Sequence, residues 1–368
     1  GVYLNMSVRI EDPDKLYSEQ TLTEAVGRIK GRGNSTWNEA KKPYRLKLDS
    51  KTKIFGLSTD KDWALLANFY DRTLLRNITA FKAAKIAGMD WTPGSLSVEL
   101  YVNNVYQGVY SFTEHVKVSN ERLNINLVDA DKTVGDYFLE LDFHYDEPYK
   151  FKTQKEQLPI MFKDPEEPNQ QQFDYVKDFF NTAESALYGQ NFTNPESGYR
   201  KYIDVESFIK YYIVQELAKN VDGNMRGSCY LALSGGKIKQ PLVWDFDIAF
   251  GSAQHITWEQ GASSTGPEGW YIKTCSPWFD QFFKDPEFVK ELKKKWNELK
   301  PELDKLPQFV KDHAMQIDDA QRRNFSPRTQ QGAGWDIHRN NWPDYVDRGS
   351  YDAEVAYLIS FIEKRLKW

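Results

Sequence analysis

Pro241-Leu242-Val243-Trp244-Asp245-Phe246-Asp247-Ile248-Ala249-Phe250-Gly251 is an apolar run broken by two carboxylates and closed by a small-residue turn. The pattern predicts a short strand that ends on Asp245 and Asp247. On an extended backbone, residues two apart point the same way, so both acids are expected on one side of the strand end. Like charges held there need a counter-charge, and a divalent cation supplies one. Mg²⁺ takes one or two protein carboxylates and leaves its other positions to water and phosphate. The stretch therefore predicts a metal–phosphate site at the end of a β-segment, and the rest of the chain can be searched for its remaining parts.

Phosphate needs cations. Gly31-Arg32-Gly33 sets a guanidinium between two glycines, where the backbone can come close to a ligand and Arg can grip phosphate with paired hydrogen bonds. Lys41, Lys42, Arg45 and Lys47 follow. Pro43 to Leu48 alternates, with Tyr44, Leu46 and Leu48 on one strand face and Arg45 and Lys47 on the other. An edge strand with charges turned to water has the same pattern; the neighbouring Arg32 favours phosphate binding. No Walker A loop occurs. Glu114 closes the strand Val109–Thr113 and is a candidate partner for Lys47. Glu140 and Asp142 alternate on another strand and read as structural. Asn220-Val221-Asp222-Gly223-Asn224 is a polar loop between a helix and the hairpin that leads to Asp245. It has the composition of an ordinary turn, but Asp222 could take a proton from a substrate hydroxyl, and Asn220 or Asn224 could ligate a metal.

The chain has 368 residues, 40% hydrophobic and 15% aromatic, so a large core is available. The net charge of −5 and the lack of a long basic run argue against a general nucleic-acid binder. No run of about 18 apolar residues predicts a membrane span, and no signal peptide opens the sequence. Cys229, Cys275 and the scattered histidines lack zinc-ligand spacing. Strands are expected for Val2 to Ile10, Ser95 to Val102 with Val105 to Glu114 as a hairpin, Tyr137 to Asp142, and Ser228 to Leu233 with Lys237 to Trp244 as a second hairpin. Helices are expected from Asp71 to Ala87, Phe173 to Tyr188, Asp204 to Lys219, Asp285 to Leu299, Pro301 to Phe325 and Ser350 to Trp368. Tyr149 to Asn169, rich in Pro and charge, reads as an irregular connection. The expected fold class is α+β and two-lobed, with a β-rich part over 1–150 and a mostly helical part over 151–368, or the two as one continuous domain.

Four segments in order carry a resemblance. They are Arg32-Gly-Asn-Ser-Thr-Trp through Lys41-Lys-Pro-Tyr-Arg-Leu-Lys-Leu48, Trp63-Ala-Leu-Leu-Ala-Asn68 with Asp71-Arg-Thr-Leu-Leu-Arg-Asn77, Gly108-Val-Tyr-Ser-Phe-Thr-Glu114, and Trp244 to Gly251. Together they resemble the CotH family, bacterial spore-coat-protein-H-like proteins of atypical protein-kinase-like character. The resemblance implies a divergent two-lobed kinase-like fold that binds ATP with Mg²⁺ and phosphorylates Ser or Thr of a protein substrate. It also leans toward an exported or envelope location. By this resemblance Asp222 matches the catalytic-loop aspartate, and Asp245 or Asp247 the metal-binding aspartate. Lys47, Arg32 or Arg45 matches the phosphate-contacting base, and Glu114 the strand-end glutamate. The chain lacks a Gly-x-Gly-x-x-Gly loop, His-Arg-Asp and Asp-Phe-Gly, and Gly227 stands where kinases place a second metal-ligating Asn. Two further readings stand beside it: a non-catalytic kinase-like surface scaffold, and a nucleotide-sugar transferase that holds its metal through Asp-x-Asp.

Overall fold

The computed structural model describes residues 2–253, 266–339 and 342–368. Strands β1 (Leu4–Glu11), β2 (Leu22–Gly31), β3 (Tyr44–Lys53), β4 (Thr59–Leu66), β5 (Ser95–Val102) and β6 (Val105–Glu114) form an antiparallel sheet in the order β1-β2-β3-β4-β6-β5. The alternation in β3 decides its two faces. Leu46 and Leu48 are buried against Trp63, Tyr110 and Phe112, which form a separate small core. Arg45 and Lys47 lie on the other face. Lys47 pairs in register with Arg28 on β2 and Asp62 on β4, and Arg45 with Lys30, so the charges gather on one side of the sheet.

A second sheet holds β7 (Tyr137–Leu141), β8 (Lys150–Lys152), β9 (Pro159–Asp164), β10 (Cys229–Ser234) and β11 (Lys237–Lys239), in the order β11-β10-β7-β9-β8. Residues 149–169 are thus not the expected irregular connection. Phe151, Ile160, Met161 and Phe162 are buried, and pairing of β9 with β7 and of β8 with β9 satisfies their backbone. The predicted strand over Lys237 to Trp244 also ends early, at Lys239; residues 240–246 are largely buried but join no ladder.

Helices complete the molecule. A short α1 (Ser35–Asn38) follows Arg32, and α2 (Arg76–Ala87) lies between β4 and β5. The others are α3 (Gln170–Leu187), α4 (Val205–Ala218), α5 (Ile272–Cys275), α6 (Pro277–Phe282), α7 (Pro286–Leu303), α8 (Leu306–Gln316), α9 (Asp318–Phe325) and α10 (Tyr351–Lys367). Helix α2 starts five residues after the expected Asp71. That carboxylate accepts hydrogen bonds from Thr73 N and Arg76 N and pairs with the Arg76 guanidinium at 2.5 Å, so the chain makes a capped turn before the helix. Gly88, at φ +69°, ends it as a left-handed C-cap. The large core joins α2, α3, α4, α6 and α10 to β7 and β10. The fold is therefore α+β and two-lobed, with a curled antiparallel sheet in front and mostly helices behind. Helix α9 ties the two: Asn324 Oδ1 accepts from Val109 N on β6 and from Lys41 Nζ. No helix among the described residues is long and apolar enough to cross a membrane.

One buried ion pair fastens the C-terminal helix to α4. Arg365 meets Glu216 at 2.6 Å with both side chains at most 5% exposed, and the same carboxylate accepts from Tyr271 N and Lys273 N. Removing one member of a buried pair leaves the other charge uncompensated. Glu216→Ala is expected to cost about 3–5 kcal/mol, read as a lower denaturant midpoint; an unchanged midpoint would contradict this anchoring role.

Candidate active site

A cleft of about 1040 Å³ opens between the two sheets. Lys30, Arg32, Arg45, Lys47 and Lys117 line one side of it, and Asp142, Asp222, Asp245 and Asp247 also face it. Predicted site residues from both halves of the chain therefore share one space, with cations supplied by the first sheet and acids by the loops around β10 and β11.

The acids do not converge by strand alternation. Asp245 sits at φ +63°, a left-handed conformation, so the backbone turns at the first acid. Protein contacts enforce that turn. Phe246 N donates to Asn77 Oδ1 on α2 at 2.7 Å, and Asn220 Nδ2 donates to Asp245 O at 3.2 Å. Arg76 Nε donates to Ala249 O at 3.0 Å, and Phe250 N donates to Ala218 O at 2.7 Å. The turn still brings the two carboxyls close enough to interact directly. Asp245 projects into the cleft and remains open to solvent, while Asp247 lies behind it at 9% exposure.

Electrostatics follow from this crowding. Burial, then the charges of Asp245, Asp71 and Asp222, push the Asp247 carboxyl far above the usual range. Crowding by protein raises Asp245 as well, opposed mainly by the guanidinium of Arg32. Asp222 is pushed up to about 6, first by burial and then by Asp245. Two carboxyls this close favour a proton between them, and a cation can take that proton's place.

The loop that carries Asp222 is fixed from several sides. Tyr211 OH on α4 donates to Gly223 O at 3.1 Å, and Asp142 Oδ2 accepts from Ser228 N at 2.8 Å. Ser228 Oγ reaches Asp245 Oδ2 at 3.4 Å. Asp142, read from sequence as structural, thus links β7 to the loop beside the acid pair while itself lining the cleft. Asn77 was legible only as the end of a resemblance motif inside an expected helix; nothing in its spacing marked it as the residue that holds Phe246.

The cations divide into two groups. Arg45 is paired with Asp62 at 3.1 Å, and Lys117 with Asp60 and Asp62 at 3.1 and 3.0 Å. Arg32 and Lys47 form no ion pair among the described residues. Arg32 lies over the Trp244 ring at 5.6 Å, next to the acid segment. The Gly31 backbone meets the Trp37 indole rather than an open ligand surface; a Cβ there would lie 2.2 Å from the ring. Two other predicted residues stand apart from the cleft. Glu114 does not reach Lys47: its carboxylate accepts from Ser58 N at 2.6 Å and Gly94 N at 2.8 Å, closing two backbone groups. Asn224 is buried outside the cleft lining, with Oδ1 unpartnered.

Among the described residues no group of three or more His, Cys, Asp or Glu is arranged to hold a metal by itself. A pair of carboxylates, one open to the cleft, remains. That donor set fits Mg²⁺, which needs only one or two protein carboxylates when phosphate and water supply the rest. Arg32 and Lys47 could supply the charge a phosphate chain requires.

Residues 29–368 match the family model described as CotH kinase protein. The match spans nearly the whole chain, and the chain belongs to this family. A comparison with curated proteins returns no match.

The raised Asp222 carboxyl has a consequence for stability. Its folded-state value of about 6 exceeds the ordinary 3.8, so the folded protein binds this proton more tightly than the unfolded chain. The resulting stabilisation is full below the ordinary value and is lost as pH rises through about 6. Asp222→Asn is therefore expected to gain melting temperature relative to wild type on going from roughly pH 4 to roughly pH 7.5. A difference between the two proteins that stays constant with pH would contradict it.

Proposed function

We propose that this CotH-family chain transfers the terminal phosphoryl group of ATP, with Mg²⁺, to Ser or Thr hydroxyls of a protein substrate. The observation that carries the reading is the arrangement of the cleft, where the Asp245–Asp247 pair and the unpaired cations Arg32 and Lys47 border one space. The protein acceptor comes from the family resemblance alone.

Phosphoryl transfer asks a protein mainly to position its reactants and stabilise charge. Asp245 and Asp247 are the residues that would hold Mg²⁺, which supplies positive charge to the phosphate oxygens when bound. Arg32 and Lys47 would neutralise the phosphate chain from the first sheet. Arg45 is held by Asp62, so its part is to shape the cationic face and not to grip phosphate. Asp222 has the position and acidity of a general base: with a value near 6 it is ionised at neutral pH yet basic enough to accept the hydroxyl proton. Asp222, Asp245 and Asp247 sit on backbone pinned by the contacts described above, as electrostatic preorganisation requires.

Transfer of labelled γ-phosphate to a Ser/Thr-containing acceptor protein, together with thermal shift by ATP and Mg²⁺, tests the assignment. Asp222→Asn is expected to retain the ATP–Mg²⁺ shift and to lower transfer by roughly 10²–10⁴-fold. Asp245→Asn and Asp247→Asn should lose both. Wild-type transfer in all three purified variants would overturn these roles.

A further inference from the structure

Strand β6 ends at Glu114, and the chain then crosses from the first sheet to β7 of the second. The first residue of that crossing is His115, which is partly buried and lines the cleft. Its Nδ1 lies 2.8 Å from Val116 O. A carbonyl oxygen only accepts, so Nδ1 carries the hydrogen. Nε2 has no partner among the described residues. Burial, followed by the nearby guanidiniums of Arg45 and Arg32, holds the imidazole well below its usual value; the hydrogen bond to Val116 O and then the charge of Asp62 oppose this more weakly. The ring is therefore neutral at pH 7, with an open lone pair on Nε2.

That lone pair limits what can lie against it. A phosphate oxygen is itself an acceptor, and a metal cation would have to stand beside two guanidiniums. An N–H donor satisfies it. Close to His115 in sequence, Val116 and Val118 line the same cleft, as do Phe138, Met161 and Tyr230 from the second sheet. Phe138 and Tyr230 are stacked, with centroids 5.4 Å apart and planes 10° from parallel. Surfaces of this kind suit a flat heteroaromatic ring.

We infer that His115 is a specificity-determining residue whose Nε2 accepts a hydrogen bond from the exocyclic amino group of adenine. This rests on the nucleotide reading above. Guanine carries a carbonyl oxygen where adenine carries that amine. Two acceptors would then face each other with no proton between them, and both would lose their bond to water.

Equilibrium binding with Mg²⁺ tests this with three probes: ATP, GTP and purine riboside triphosphate, which is ATP without the amine. Wild type is expected to bind ATP roughly 10- to 100-fold more tightly than GTP and about tenfold more tightly than the amine-free analogue. In His115→Phe the ring shape stays and the acceptor goes, so ATP and the analogue should bind within about twofold of each other. In His115→Gln the amide can turn to present either oxygen or nitrogen, so GTP should gain on ATP; this second variant serves if the first fails to fold. An ATP preference over the analogue that survives in both variants would place amine recognition elsewhere and overturn the inference, as would a wild type that does not distinguish the two. If wild type binds none of the three, the nucleotide reading itself fails, an outcome distinct from loss of selectivity alone.

Discussion

Three carboxylates, Asp222, Asp245 and Asp247, are held in one partly desolvated cleft, and the rest of the site answers that constraint. Like charges brought together in this way raise each other's proton affinity. The backbone does not let them separate. Arg76 and Asn77 on α2, Ala218 at the end of α4 and Asn220 just beyond it hold the acid segment, at a left-handed turn that alternation along a strand would not produce. Strained turns of this kind persist only where surrounding contacts over-determine them. The cluster is thus built to receive positive charge.

The fold supplies that charge from the opposite side. Antiparallel pairing places Lys30, Arg45 and Lys47 on a single sheet face, and Leu46 and Leu48 bury the other. Asp60 and Asp62 neutralise Arg45 and Lys117, which leaves Lys30, Arg32 and Lys47 as the cleft-lining cations without an ion pair among the described residues. Helix α2 connects both features. Its first turn is organised by Asp71, its Arg76 and Asn77 reach the acid segment, and its apolar residues join the main core. Stability of the lobe interface and geometry of the site therefore share the same residues.

Much of this was legible in the sequence, for identifiable reasons. Alternation in Pro43 to Leu48 gave the correct faces of β3, and the expected hairpin of Ser95 to Val102 with Val105 to Glu114 is β5–β6. The helix expected over Ser350 to Trp368 is α10, and the order of four motifs gave the family. The errors have physical causes. Residues 149–169 look irregular because Pro and charge hide the short apolar segments β8 and β9, of which β9 pairs with β7 and β8 with β9. The segment before Asp245 looks like a strand because its residues are apolar, yet no neighbouring strand is there to pair with it. Glu114 looked like a lysine partner because a strand-end carboxylate is visible in sequence, while the two amides it caps come from distant loops. Asn77 and His115 escaped notice because their roles depend on contacts between elements, and no local pattern encodes those.

In the proposed function Asp245 and Asp247 grip a cation that the cationic sheet face helps hold through phosphate. An anomalous diffraction map of the protein crystallised with Mn²⁺, standing in for Mg²⁺, and a non-hydrolysable ATP analogue would locate that cation. A manganese peak is expected within coordinating distance of Asp245 or Asp247, next to phosphate density in contact with Arg32 or Lys47. Manganese bound only elsewhere, or nucleotide density outside this cleft, would contradict it.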